Sequence, residues 1–436
     1  CIFPLHYIPN DLKKEALSVY TLSKKSPCKV ASQKKIIRNH SEQDFAMFLS
    51  GVLVFLLGLL LFMGISSVQC KGNVRSGTPD GSEEWGYVEV RPKVHMFWWH
   101  YISPQRAGVD WPIILWLQGG PGASGVGIGN FQEVGPLDTQ LQPRNTTWLQ
   151  KADLLFVDSP VATGFSYVEN ETLIAKTDAE VVVDLLSFLK EFFKNSTLQK
   201  SPLFIVGESY GGKPASMVGL ALSKAIAAGD IKVTLAGVLL GDSWISPVDF
   251  VLSWGPLLKD VSRLELVDAR KVNSIALKIR EQVRSGEYLQ ATNTWADLEG
   301  VIDSTSNRVD FYNFLLDSSA DPLASTATLP KRTSRTPQRY IQYLTSKQIK
   351  GGTEISFDLS SFMNGVVRNK LKIIPSNIKW GEQSNDVFQA LGNDFMKSAV
   401  DVVDELLSRG EKVTIYNGQV DLICATIGTE AWVQQL

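Results

Sequence analysis

Histidine is the scarcest functional residue in this 436-residue sequence: there are four, at positions 6, 40, 95 and 100, and none after residue 100. No imidazole base can therefore come from the later three quarters of these residues. Cysteine is equally sparse, and Cys70 and Cys424 alone fall at or after the apolar run described below, which excludes a disulfide framework. Charge of one sign is missing too. Lys and Arg number 43 against 45 Asp and Glu, interspersed along the chain, so nothing points to nucleic acid or an acidic polymer as partner. There is no internal repeat, no metal-ligand set and no feature that calls for a cofactor.

Aromatic residues are abundant, with 11 Trp, which suits a groove for a peptide or another extended ligand. A chain of this length can bury a large core. From Phe45 to Cys70 the sequence "FAMFLSGVLVFLLGLLLFMGISSVQC" carries no charge. Its core has the length of a signal-peptide apolar region, "GISSVQ" offers small residues for cleavage, and the whole run is also long enough for a signal anchor. Lys34, Lys35 and Arg38 favour a cytosolic N-terminus, so the remainder is expected in the lumen of the secretory pathway, secreted or lysosomal. Residues 1–44 are read as upstream or artefactual sequence and enter no fold argument, the product starting near Met47. Acceptor sequons at Asn145, Asn170 and Asn195 agree with lumenal glycosylation.

Beyond residue 71 the pattern is that of an α/β protein. "WGYVEV" and "HMFWWHYIS" predict an antiparallel pair. "PIILWLQ", "ADLLFVD", "SPLFIVG", "TLAGVLLGD" and "KVTIYNG" are short continuous apolar runs, as expected of strands buried on both faces of a mostly parallel sheet. "DAEVVVDLLSFLKEFFK" and "FMKSAVDVVDELLSRG" between them predict helices. Residues 247–356 break this rhythm, first helical and then Ser/Thr-rich. They are read as an insertion that caps the sheet within a single domain, residues 71–436.

"FIVGESYGGKPA" places Ser209 in Gly207-Glu208-Ser209-Tyr210-Gly211, after a predicted strand and before a predicted helix, the context of a nucleophile elbow. The preceding "LWLQGGPGAS" ends another strand in Gly119-Gly120-Pro121-Gly122, a turn suited to a second oxyanion donor.

Together "WLQGGPGAS", "VDSPVATGFSY", "GESYGGK" and "YNGQVDLI" resemble the serine carboxypeptidases in order and spacing, from about Trp85 to Leu436. The resemblance implies an α/β-hydrolase fold with a helical cap, releasing C-terminal residues from peptides and proteins. It implies Ser209 as nucleophile, Asp421 as the triad acid, and the amides of Gly120 and Tyr210 as the oxyanion hole. Gln118, Glu208 and the Gly119 backbone would bind the substrate's terminal carboxylate, with Glu133 sharing a proton with Glu208. Two such carboxylates cannot both ionise cheaply, so an acidic optimum is expected. Three positions depart from the family pattern. Gln118 stands where Asn is common, and Ala123 and Ala162 replace other small residues.

The order of this fold is serine, acid, histidine. His95 and His100 lie in the aromatic hairpin, where structural roles are expected. With no histidine after Asp421, a serine lacking its base is a weak nucleophile, and these residues are expected to be nearly inactive. A last strand and helix are expected beyond Leu436. A catalytically silent binding protein remains a reading of another class, and an esterase or lipase on the same fold a third. Residue preference, oligomeric state and proteolytic maturation near Lys331 to Arg339 stay open.

Overall fold

The computed structural model describes residues 20–21, 73–108, 110–317 and 358–436. The apolar run 45–70, nearly all of the upstream segment and the polar stretch 318–357, with Lys331 to Arg339, lie outside the described residues. In chain order the strands are β1 (Tyr20–Thr21), β2 (Arg75–Gly77), β3 (Glu83–Arg91), β4 (Val94–Tyr101), β5 (Ile113–Leu117), β6 (Asp153–Val157), β7 (Tyr167–Val168), β8 (Pro202–Glu208), β9 (Thr234–Gly241), β10 (Val309–Asp310), β11 (Asn313–Asp317) and β12 (Val413–Tyr416). Ten of them form one sheet ordered β1-β12-β9-β8-β5-β6-β4-β3-β2, with β7 against β4. The central strands β6, β5, β8, β9 and β12 run parallel, while β2, β3 and β4 are antiparallel.

The apolar runs are continuous because successive side chains serve two cores. In β4, Val94, Met96 and Trp98 face one cluster, and Phe97, Trp99 and Tyr101 the other. The same alternation sends Leu155 and Val157 of β6 to the first core and Leu154 and Phe156 to the second. On the first face lies helix α1 (Asp178–Phe192), which buries Val181, Leu185, Phe188, Leu189 and Phe192, a helical stripe. Its start is fixed by Thr177, whose hydroxyl accepts from the Glu180 N–H, while Glu180 reaches back to the Lys176 N–H. Helix α2 (Gly212–Ala228) follows β8 directly.

After β9 the chain forms α3 (Pro247–Asp260), α4 (Leu266–Arg284) and α5 (Tyr288–Thr305), then the β10–β11 hairpin. The predicted helical stretch is split at Gly286, whose φ of 77° ends α4. Trp254, Val272, Ile279, Trp295 and Ile302 of these helices join the core that also holds Leu115 and Ile205 of the sheet. The predicted helix in "FMKSAVDVVDELLSRG" is shorter than its periodicity indicates, running only from Val400 to Ser408. Phe395 and Met396 are buried through tertiary packing, and the Ala399 N–H is taken by the Ile245 carbonyl, so the chain reaches its first turn only there.

Ala162, in the loop after β6, is held at φ 78°. An L-residue with a Cβ pays for the left-handed region where glycine does not. Ala162→Gly is therefore expected to stabilise the fold by about 1 kcal/mol, a rise of about 2 °C in Tm. A thermal melt with an unchanged or lower midpoint would contradict this account.

Candidate active site

The carboxyl ends of β5, β8, β9 and β12 lie along one edge of the sheet, where ligands of open α/β sheets bind. Gln118, Ser209, Asp242 and Asn417 each follow directly on one of these strands. The sequence therefore brings its quoted motifs to one place by topology.

Ser209 occupies the sharp turn between β8 and α2, at φ 54°, a strained conformation for a residue with a side chain. The turn closes because both flanking positions lack a Cβ. A Cβ on Gly207 would sit 2.3 Å from the Gly211 carbonyl oxygen, and one on Gly211 would sit 2.2 Å from that of Leu117. The Ser209 carbonyl accepts from the Trp244 N–H at 2.9 Å. Ser243, next to it, donates from its hydroxyl to the Gly207 and Gly241 carbonyls at 3.1 Å each. Tyr210 is the next residue of the turn, and its side chain is buried.

Gly119 and Gly120 approach Ser209 from β5. A Cβ on Gly119 would lie 2.7 Å from Ser209 Cβ and 3.1 Å from its Oγ. Gly120 has φ 110°, and the loop is backed by residues that sequence reasoning missed. Gln383 Nε2 donates to the Pro121 carbonyl at 2.6 Å, Ala123 bridges to Gln383, and the Ser384 N–H donates to the Gly122 carbonyl. Nothing local near residue 383 marks this contact.

Gln118, Glu133 and Glu208 meet beside the serine. The Gln118 amide oxygen accepts from Trp116 Nε1 at 2.8 Å, which turns Nε2 toward Glu208 Oε2 at 3.0 Å and Glu133 Oε1 at 3.3 Å. Glu133 is carried by the π-helical segment Gly125–Val134, whose N-terminus is capped by the Ser124 hydroxyl. That hydroxyl in turn donates to Asp158 Oδ1 at 2.6 Å, and Asp158 also accepts from the N–H groups of Val126 and Phe165. Complete burial raises the Asp158 carboxyl to about 6, against the pull of these donors. Its ionised form is the one the fold disfavours. Its contribution to stability is therefore complete below about 4 and is lost as pH rises through about 6.

Asp421 follows β12 in a buried turn, where its Oδ1 accepts from the Cys424 N–H at 3.1 Å. Burial first, and then the neighbouring Asp242 carboxylate, push it well above the ordinary carboxylate range. A cation facing it would reverse that shift. Asp242, at φ 43°, accepts from the Gly418 N–H at 2.5 Å and so ties β9 to the turn that carries Asp421. It too was missed, although "TLAGVLLGD" put an acid at the carboxyl end of a predicted strand. Burial pushes the Cys424 thiol well up, and the nearby carboxylates add to it, so this cysteine is no competing nucleophile.

Neither described histidine is brought to Ser209. His95 stacks on Tyr167 with centroids 4.5 Å apart and pairs with Glu169 at 3.1 Å. His100 is fully buried between Phe192 and Asp153, and burial lowers it to about 3. His6 and His40 lie outside the described residues. Among the acceptor asparagines, Asn145 and Asn170 are exposed and Asn195 is half-exposed.

The serine carboxypeptidase family model matches residues 74–436. The sequence is 56% identical over 391 residues to serine carboxypeptidase-like 51 of Arabidopsis thaliana, an alignment covering 88% of this chain and 85% of that protein. It is 48% identical over 363 residues to the retinoid-inducible serine carboxypeptidase of Mus musculus, covering 82% of this chain and 78% of that one. Among solved structures, the prohormone-processing carboxypeptidase of Saccharomyces cerevisiae superposes with a TM-score of 0.64 at 23% identity, over 80% of this chain and 76% of its own. The fold is thus that of an α/β-hydrolase, as the motifs implied.

Proposed function

Because the chain belongs to the serine carboxypeptidase family, and so to the peptidases, we propose that it releases C-terminal residues from peptides at acidic pH through an acyl-enzyme. The observation that carries this reading is the single Gln118 amide bonded to two glutamates beside Ser209. With a proton shared between Glu133 and Glu208, the group donates to a terminal carboxylate. With both ionised, it repels one. Glu208 immediately precedes the nucleophile, so a carboxylate bound there sets the last peptide bond over Ser209 Oγ. The Oγ–carbon bond forms while the amides of Gly120 and Tyr210 take the developing oxyanion. The carbon–nitrogen bond then breaks, the proton passes to the leaving amine, and water releases the acyl group by the reverse path.

That proton needs an imidazole held by Asp421. Since the 436 residues contain no histidine after position 100, we propose that on their own they turn over only at the residual rate that oxyanion and binding terms sustain. The alternative, a protein that binds peptide C-termini without cleaving them, draws on the same observation. Sequons at exposed or half-exposed asparagines support a lumenal, secreted or lysosomal location. No helix among the described residues is long and apolar enough to cross a membrane. The stability that Asp158 loses as pH rises from about 4 through about 6 suits an acidic compartment.

The test compares a free-acid peptide with its C-terminal amide between pH 4 and pH 8, in protein expressed from the natural gene. The free acid is expected to be cleaved at least about tenfold faster at pH 5, where a protonated donor meets an ionised carboxylate, and to lose that advantage above neutrality. Equal rates for the free acid and the amide would remove the reading and restore the esterase.

A further inference from the structure

Beneath the oxyanion turn lies a buried ion-pair network that no step above employs. Two segments far apart in sequence converge on Tyr210 and the neighbouring Lys213. Its hydroxyl donates to Asp178 Oδ1, and Asp178 is the first residue of α1. Asp178 Oδ2 pairs with Lys213 Nζ at 2.9 Å, in the first turn of α2, and the two side chains are 7% and 1% exposed. Lys213 also donates to the Asp394 carbonyl at 2.6 Å, while Asp394 Oδ2 accepts from the Asp178 N–H at 2.9 Å. Phe395 stacks on the Tyr210 ring with 5.8 Å between centroids and 3° between planes, and the Lys213 ammonium lies 5.1 Å from the same ring's centroid.

Burial, and then the Asp178 carboxylate, push the Tyr210 phenol well above its ordinary range, so the hydroxyl remains a donor at every working pH. A buried ion pair is seldom the most stable filling for a core, since apolar residues of the same volume do as well or better. What such a pair supplies is direction. Here that direction is imposed on the one residue that follows the nucleophile.

We propose that Asp178 and Lys213 are positioning residues for the reaction: by locking the Tyr210 side chain they lock the turn Ser209–Gly211, and with it the Tyr210 amide that meets the oxyanion. The proposal rests on Ser209 and that amide serving catalysis, and its test separates the two. Tyr210→Phe removes only the hydroxyl. The double variant Asp178→Asn with Lys213→Met removes both charges and leaves no ion unpaired. In protein expressed from the natural gene, each is compared with the parent in kcat and KM for a free-acid peptide, and in affinity for a peptidyl boronate, which bonds to serine and mimics the tetrahedral state. Ser209→Ala is the control, and thermal melts confirm that every variant is folded.

Both variants are expected to lose kcat by on the order of tenfold, with boronate affinity falling by about the same factor and KM changing less than about twofold. Folded variants with parental kcat and boronate affinity would show that the network serves the fold alone and overturn the proposal. A change confined to KM would overturn it as well. A Ser209→Ala control that kept its turnover and boronate affinity would instead bring down the catalytic reading, and the proposal with it.

Discussion

In protein expressed from the natural gene, Ser209→Ala is expected to lower kcat/KM for a free-acid peptide by about 100,000-fold while leaving Tm within about 1 °C. The size follows from the proposed role of Ser209. Without Oγ there is no acyl-enzyme, and what remains is the rate that peptide binding and the two oxyanion amides sustain. The small effect on stability follows from the turn. Alanine keeps the Cβ and therefore the strain at φ 54°, and it leaves in place the contacts described as holding the elbow: the Ser209 carbonyl to the Trp244 N–H, the crossings at Gly207 and Gly211, and the Tyr210 hydroxyl to Asp178. Peptide release and a thermal melt on the same preparation check both halves. Turnover that survived in a folded Ser209→Ala protein would move the chemistry to another residue.

The elbow was legible because its chemistry is local. Gly207 and Gly211 flank Ser209 within five residues, and a strand pattern and a helix pattern stand on either side. The strands were legible for a related reason, since burial on two faces leaves no polar position to interrupt "PIILWLQ" or "ADLLFVD". Contacts between distant segments were not. Gln383 and Ser384 back the glycine loop from more than 250 residues away, and no feature of "GEQSND" announces it. Asp242 and Asp421 meet only because β9 and β12 are neighbours in the sheet. Periodicity extended the last long helix too far, because Phe395 looks like a helical core position. In the fold it stacks on Tyr210 and Trp244 instead. The grouping of Gln118, Glu133 and Glu208 came from the family resemblance. Residue chemistry alone supplies the reason two carboxylates would be kept together, but not their meeting across the sheet edge.

The second large effect is expected from one methyl group. Gly119→Ala should reduce kcat by on the order of 100- to 1,000-fold and raise KM as well, in a protein that still folds. The added Cβ would lie 2.7 Å from Ser209 Cβ, closer than carbon atoms approach without something giving way, and 3.1 Å from both Ser209 Oγ and the Glu208 carbonyl. The closest of these atoms, Ser209 Cβ, is fixed by the backbone, and the Glu208 carbonyl is backbone too, so turning the Ser209 hydroxyl aside does not clear the contact. The strained elbow must shift, and Ser209 with it. A displacement of about 1 Å at a reacting atom is enough for a loss of about 100-fold, and misalignment of the neighbouring Gly120 amide adds to it. The effect on KM follows from the proposed role of the Gly119 backbone, with Gln118 and Glu208, in binding the terminal carboxylate. A purely structural glycine would behave otherwise, lowering Tm while the folded fraction kept parental kcat and KM. Steady-state kinetics below the melting transition separate the two outcomes, and parental kcat there would show that Ser209 is not held where the reaction needs it.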